Sequence, residues 1–172
     1  IINDTTYQDE NISISLLHYT EYETEIYVAD VRLNSAQYLK TAFAHDTFGK
    51  NITAKTSEIA AAHSAILAIN GDFYGTHNRG YVIRNGVLYR DIAREETDFL
   101  CVMANGSFFL TTSDEYTGQD LLDMGAWQCF MFGPRLIENG VLMVDENSEV
   151  DQSMESNPRT AIGIVDELHY LF

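Results

Sequence analysis

Positive charge is scarce in this chain of 172 residues: ten lysines and arginines face 26 aspartates and glutamates, a net charge of −16. Such a body repels polyanions, which argues against nucleic acid and anionic membrane surfaces as partners. Proline is scarcer still, at two residues, beside eleven glycines, so a low-complexity or disordered chain is excluded. No apolar run approaches the roughly 20 residues that a membrane-crossing helix needs. Cysteine is limited to Cys101 and Cys129. These are one disulfide of an exported protein or two buried thiols, and their apolar settings, "FLCVM" and "WQCFMF", suit both. The chain is 45% apolar, enough for one sizeable core, so one domain is expected.

The few basic residues are unevenly placed. Arg79, Arg84, Arg90 and Arg94 share a stretch whose one acid is Asp91. A guanidinium cluster on an acidic body suits capture of a small anion such as phosphate or carboxylate. The alternative is that these arginines pair with Asp91, Glu95, Glu96 and Asp98 on an exposed face.

The apolar pattern predicts an α+β fold: a mixed, mostly antiparallel sheet built from hairpins, with two short helices. Alternation predicts strands at 12–18 and 24–33, and with less support at 37–44. The period then changes, and "TSEIAAAHSA" predicts a helix over 57–64, with Thr56 or Ser57 as N-cap and Glu58 in the first turn. A strand at 65–70 follows. Asn85-Gly86, Asn105-Gly106 and Asn139-Gly140 predict hairpin turns joining 81–84 to 87–90, 99–104 to 107–111, and 136–138 to 141–144. A second helix is expected over 117–124, closed by Gly125, then strands at 126–132 and 159–165 around an acidic loop, 145–158. The apolar end "LHYLF" needs cover, from a second chain or from a missing C-terminal half. The expectation is therefore an incomplete domain.

Four segments carry chemistry: "AINGDFYG" (68–75), "GYVIRNGVLYRD" (80–91), "FGPRLIENG" (132–140) and "SNPRTAIGI" (156–164). Their order and spacing resemble the phosphodiester glycosidase family, which includes N-acetylglucosamine-1-phosphodiester α-N-acetylglucosaminidases, and most resemble its bacterial, exopolysaccharide-related branch. The resemblance covers about 55–172, the N-terminal portion of such a domain; residues 1–54 carry no recognised signature. It implies hydrolysis of a sugar 1-phosphodiester between the anomeric carbon and the phosphate oxygen. Family members continue into a D-G-R and then an L-D-G-G-G-S segment, neither of which is in this sequence, so the chain alone is expected to be inactive.

On that implied chemistry, a fixed cation beside the departing phosphate replaces much of a general acid's role. Arg159 is the first choice for it, with Thr160 adding a hydroxyl and a backbone N–H. Asn70 suits a sugar hydroxyl or phosphate oxygen, since its amide both donates and accepts. Asp72 is either the carboxylate at an oxocarbenium-like transition state or the base that activates water. Relatives with glycine at that position favour other roles: positioning, capping a turn or holding a metal. Substrate-binding candidates are Gly71 (close backbone approach), Tyr74 (a sugar face or pocket wall), His77, Arg84 (a second anion contact) and Asn157. As a lone loop histidine, His77 otherwise reads as solvated. No cofactor is expected, although Asp145, Glu146, Glu149 and Asp151 offer oxygen ligands of the kind calcium takes. The acidic surface suits a secreted or cell-envelope protein. The rival reading is a non-catalytic glycan- or polyphosphate-binding module.

Overall fold

The computed structural model describes residues 3–95, 97–131, 133–148 and 157–172. Two five-stranded sheets and one small hairpin carry the fold, and every strand pairing among the described residues is antiparallel. The α+β expectation holds, whereas the expected mixed sheet is instead two separate antiparallel ones.

The first sheet is built on a long hairpin, β2 (Ile12–Glu21) and β3 (Thr24–Leu33), with β1 (Thr6–Gln8) outside β2. Beyond β3 lie β12 (His169–Leu171) and then β11 (Gly163–Asp166). The C-terminal strand is thus paired on both sides within its own chain, and Tyr170 is fully buried. The strand's two edges are covered by this chain, by β3 of the N-terminal segment on one side and by β11 on the other. The expected strand at 159–165 begins only at Gly163.

The second sheet runs β5 (Val87–Arg90), β4 (Val82–Arg84), β8 (Ala126–Met131), β6 (Asp98–Met103) and β7 (Phe108–Thr112). Its core joins Tyr81, Ile83, Phe99, Cys101, Cys129 and Met131 to Leu121 of helix α2 (Gly118–Asp123). Helix α2 starts on Thr117, whose hydroxyl accepts from the Asp120 N–H while Asp120 accepts from the Thr117 N–H, a reciprocal cap. The remaining hairpin is β9 (Ile137–Glu138) with β10 (Val141–Leu142). Asn85-Gly86 and Asn139-Gly140 both take positive φ at both positions, as a two-residue turn with strand-matched twist requires. The sheets meet where the Tyr170 hydroxyl donates to the Gly106 carbonyl (2.6 Å) and its ring stacks on Phe108. Burial there pushes the Tyr170 phenol up to about 12.

Two expected strands do not form. Residues 37–44 run instead through 3₁₀ turns at Ala36–Tyr38 and Ala44–Asp46. The backbone between those turns is held by side chains rather than by a ladder. Trp127 Nε1 and Gln128 Nε2 donate to the Leu39 carbonyl, and Asn85 accepts from the Thr41 N–H and donates to its carbonyl. Gln128 is fully buried, and its Oε1 takes hydrogen bonds from Thr41 Oγ1 and the Asn85 N–H. Gln128→Ala strands that N–H and leaves a void, so it is expected to lower unfolding free energy by about 2–4 kcal/mol, read from urea unfolding. Residues 65–70 also lack strand structure. Leu67 packs against the first sheet with Ile14 and Val31, but Ile66 and Ile69 stay 47% and 41% exposed. The apolar run has the composition of a strand, but no described strand pairs with it. Helix α1 (Thr56–Ala62) forms just before it, as expected.

Candidate active site

The segment after the 65–69 run carries Asn70, Gly71 and Asp72, and it lies against the second sheet. Asp72 is the most deeply engaged of the three. Its side chain is 1% exposed and pairs with Arg84 Nη2 at 2.5 Å, while its other oxygen accepts from the Met131 N–H at 2.9 Å. Arg84, on β4, is 5% exposed and also donates to the carbonyls of Ile83 and Cys129. Its guanidinium lies over the Phe130 ring, 4.7 Å from the centroid, and 5.7 Å from that of Tyr74. Both members of this pair face inward and each has several partners. Such a pair positions the chain around it.

Asn70 is exposed, and its Oδ1 accepts from the Thr160 hydroxyl at 2.7 Å. This contact spans 90 residues and brings "AINGD" against "NPRTA". With Oδ1 so occupied, the Asn70 amide N–H pair is the part left to reach outward. Arg159, next to Thr160, is also exposed. Asn157 opens the same segment with its Nδ2 buried and unpartnered. Gly71 has no positive φ, and a Cβ built on it meets only Phe130, at an ordinary 3.8 Å. The fold itself therefore does not demand glycine there.

Tyr74 belongs to an aromatic cluster, stacked on Phe48 (5.4 Å between centroids) and edge-on to Phe43. His77 follows a single 3₁₀ turn, Tyr74–Thr76, and is half-buried rather than solvated, its Nε2 without a partner. Burial lowers its pKa first, helped by the nearby Arg94 and Arg90 guanidinium groups. The unfolded chain therefore takes up a proton that the folded chain resists. Stability is expected to fall as pH drops below about 6.5, the unfolded imidazole value, toward the lowered folded value. Urea unfolding across pH 5 to 8, in roughly unit steps, checks this, and His77→Gln is expected to flatten that part of the profile.

Sequence reasoning grouped Arg90 with its neighbours without seeing its task. Arg90 donates to the carbonyls of Tyr74, His77 and Gly80 and so fastens the 74–80 loop to β5. Neither sequence alternative for the arginine cluster describes it. Among the described residues, Asp91 caps α2 and Asp98 pairs with Arg135, so those acids do not serve the cluster. Arg94 reaches the Met131 sulfur. A hollow of about 150 Å³ lies between Phe48, Lys50, Tyr74, Asn78 and Arg90, and one of about 110 Å³ beside Phe43, Asp46 and His63. Neither is lined by Asn70, Asp72 or Arg159.

A family described as phosphodiester glycosidase matches residues 63–172, well over half of the chain. The chain belongs to the phosphodiester glycosidase family. The matched span takes in all four motif segments and leaves out β1, β2 and β3, of which β3 pairs with the last strand of the matched span. No curated protein matches the chain. Among the described residues, no helix is long and apolar enough to cross a membrane, and no group of three or more His, Cys, Asp or Glu side chains is arranged to hold a metal ion. Asp145 spends its carboxylate on its own turn, at Ser148 and Asn147, while Glu149 and Asp151 of the suggested calcium loop, like Glu96, lie outside the described residues.

Proposed function

We propose that this chain carries part of the active site of an enzyme that hydrolyses sugar 1-phosphodiesters. The observation that carries the reading is the 2.7 Å contact between Thr160 and Asn70, which joins two family segments far apart in sequence. In this reading the bond from the anomeric carbon to the phosphate oxygen breaks, water adds to that carbon, and the surplus proton passes to solvent or the phosphate. Arg159 holds the departing phosphate by a charge-assisted hydrogen bond that strengthens as negative charge collects on the oxygen. Asn70, its carbonyl oxygen fixed by Thr160, donates its amide protons to a sugar hydroxyl or a phosphate oxygen. Asp72 acts through Arg84 and the β8 backbone as a positioning residue, because both its oxygens are already taken. The acidic surface fits work outside the cell or at its envelope, on a glycan such as an exopolysaccharide.

The test is product formation by the full-length protein on a sugar 1-phosphodiester. Release of free reducing sugar with a phosphate monoester is the expected result. A second reading, a glycan- or polyphosphate-binding module, is favoured by the burial of Asp72, whose two oxygens are engaged by Arg84 and the Met131 N–H. Binding detected by calorimetry with no product after prolonged incubation decides for that module.

A further inference from the structure

The protein's two cysteines, 28 positions apart in sequence, are exact opposites in space. Cys101 on β6 and Cys129 on β8 are directly facing partners in the antiparallel register. Facing residues of an antiparallel pair project to the same side of the sheet with Cα atoms about 4.5–5.5 Å apart. That lies inside the roughly 4.4–6.8 Å that a disulfide spans. Both side chains are 0% exposed, in the same core cluster as Tyr81, Phe99 and Met131. The neighbouring Cys101 thiol, together with burial, raises the Cys129 pKa well above the usual thiol range. The structure holds both as free thiols.

We propose that Cys101 and Cys129 are a built disulfide site, closed by exchange with a small-molecule or protein disulfide, which clamps β6 to β8 beside the Asp72–Arg84 pair. In the step, one thiolate attacks the donor disulfide and expels a thiol. The second cysteine then attacks the mixed disulfide and expels the other. One S–S bond forms in the protein; two electrons and two protons leave with the donor, which becomes two thiols. Because the thiolate is the attacking form and burial disfavours it, the bond forms while the sheet assembles or opens locally, and once formed it is shielded from reductants. The inference concerns β8 because that strand supplies two of the buried pair's three backbone contacts: the Cys129 carbonyl accepts from Arg84, and the Met131 N–H donates to Asp72, while β4 supplies the Ile83 carbonyl. It stands apart from the question of which substrate is hydrolysed.

With no other cysteine in the chain, thiol counting reads the outcome directly. The full chain is refolded with oxidised glutathione and, separately, with a reductant, and then denatured for thiol titration and weighed intact. Expected are a monomer with no titratable thiol, a mass lower by two hydrogens than the reduced form, and a melting temperature higher by roughly 5–15 °C. The C101A variant is expected to lose that redox-dependent shift. Two remaining thiols, a glutathione adduct, disulfide-linked dimers or equal melting temperatures of the two wild-type forms overturn the proposal, and the wild-type readings stand even where the variant fails to fold.

Discussion

Replacing Asp72 with alanine is expected to remove about 3–5 kcal/mol of folding stability, a large share of what a domain of this size holds. The carboxylate is 1% exposed and its partner Arg84 5% exposed. Removing it leaves a buried guanidinium with two backbone carbonyls and two aromatic faces but no counter-ion. It also strands the Met131 N–H on β8. The loss comes from the charge left behind more than from the attraction given up, so the double change D72A with R84M should cost less than D72A alone. Urea unfolding of the three variants checks both statements. A D72A protein within about 1 kcal/mol of the parent would mean that the pair contributes no net stability and that water reaches Arg84.

That pair also marks the limit of what the sequence discloses. The strands with two-residue periodicity, such as Thr24–Leu33, and the turns built on Asn85-Gly86 and Asn139-Gly140 are readable because each is decided locally, by side-chain alternation or by residues that tolerate positive φ. Helix α2 is readable for the same reason, with Thr117 at one end and Gly125, at positive φ, at the other. Residues 37–44 and 65–70 defeat the same reasoning. Periodicity reports which side chains find apolar company, whereas a strand also needs a neighbouring backbone edge. For Leu39 and Thr41 the hydrogen bonds come from Trp127, Gln128 and Asn85, far away in sequence. The insertion of β12 between β3 and β11 is likewise a long-range result that no local signal announces.

The candidate site divides along the same line. Motif order picks out the candidate residues but not their burial: Asp72 and Asn70 stand two positions apart, and one faces the core while the other faces solvent. A carboxylate and an arginine twelve residues apart read equally well as two ligand contacts or as one internal pair. The backbone geometry of β4 against β8 chooses the pair, because it puts Arg84 beside the Cys129 carbonyl and the Met131 N–H beside Asp72.

Exchanging Arg159 for alanine in the full-length protein is expected to lower kcat/KM on a sugar 1-phosphodiester by about 10²–10³-fold, the usual loss when one fixed donor to a developing anion is removed. The residue stands next to Thr160, whose hydroxyl is held by Asn70, so its backbone is anchored at the place where the two family segments meet. A cation there does most for the transition state in which the phosphate oxygen takes up charge. The loss should therefore fall mainly on kcat, and it should grow as the leaving phosphate becomes more basic. Arg159→Lys should keep part of the activity, since a point charge survives while the two-pronged geometry is lost. Folding stability should change by less than about 1 kcal/mol for either variant, because the side chain is exposed. Kinetics on a series of leaving groups, run beside urea unfolding, separate these effects. An unchanged kcat with a raised KM would reduce Arg159 to a binding contact made equally in the ground and transition states, and turnover equal to the parent's would remove it from the site.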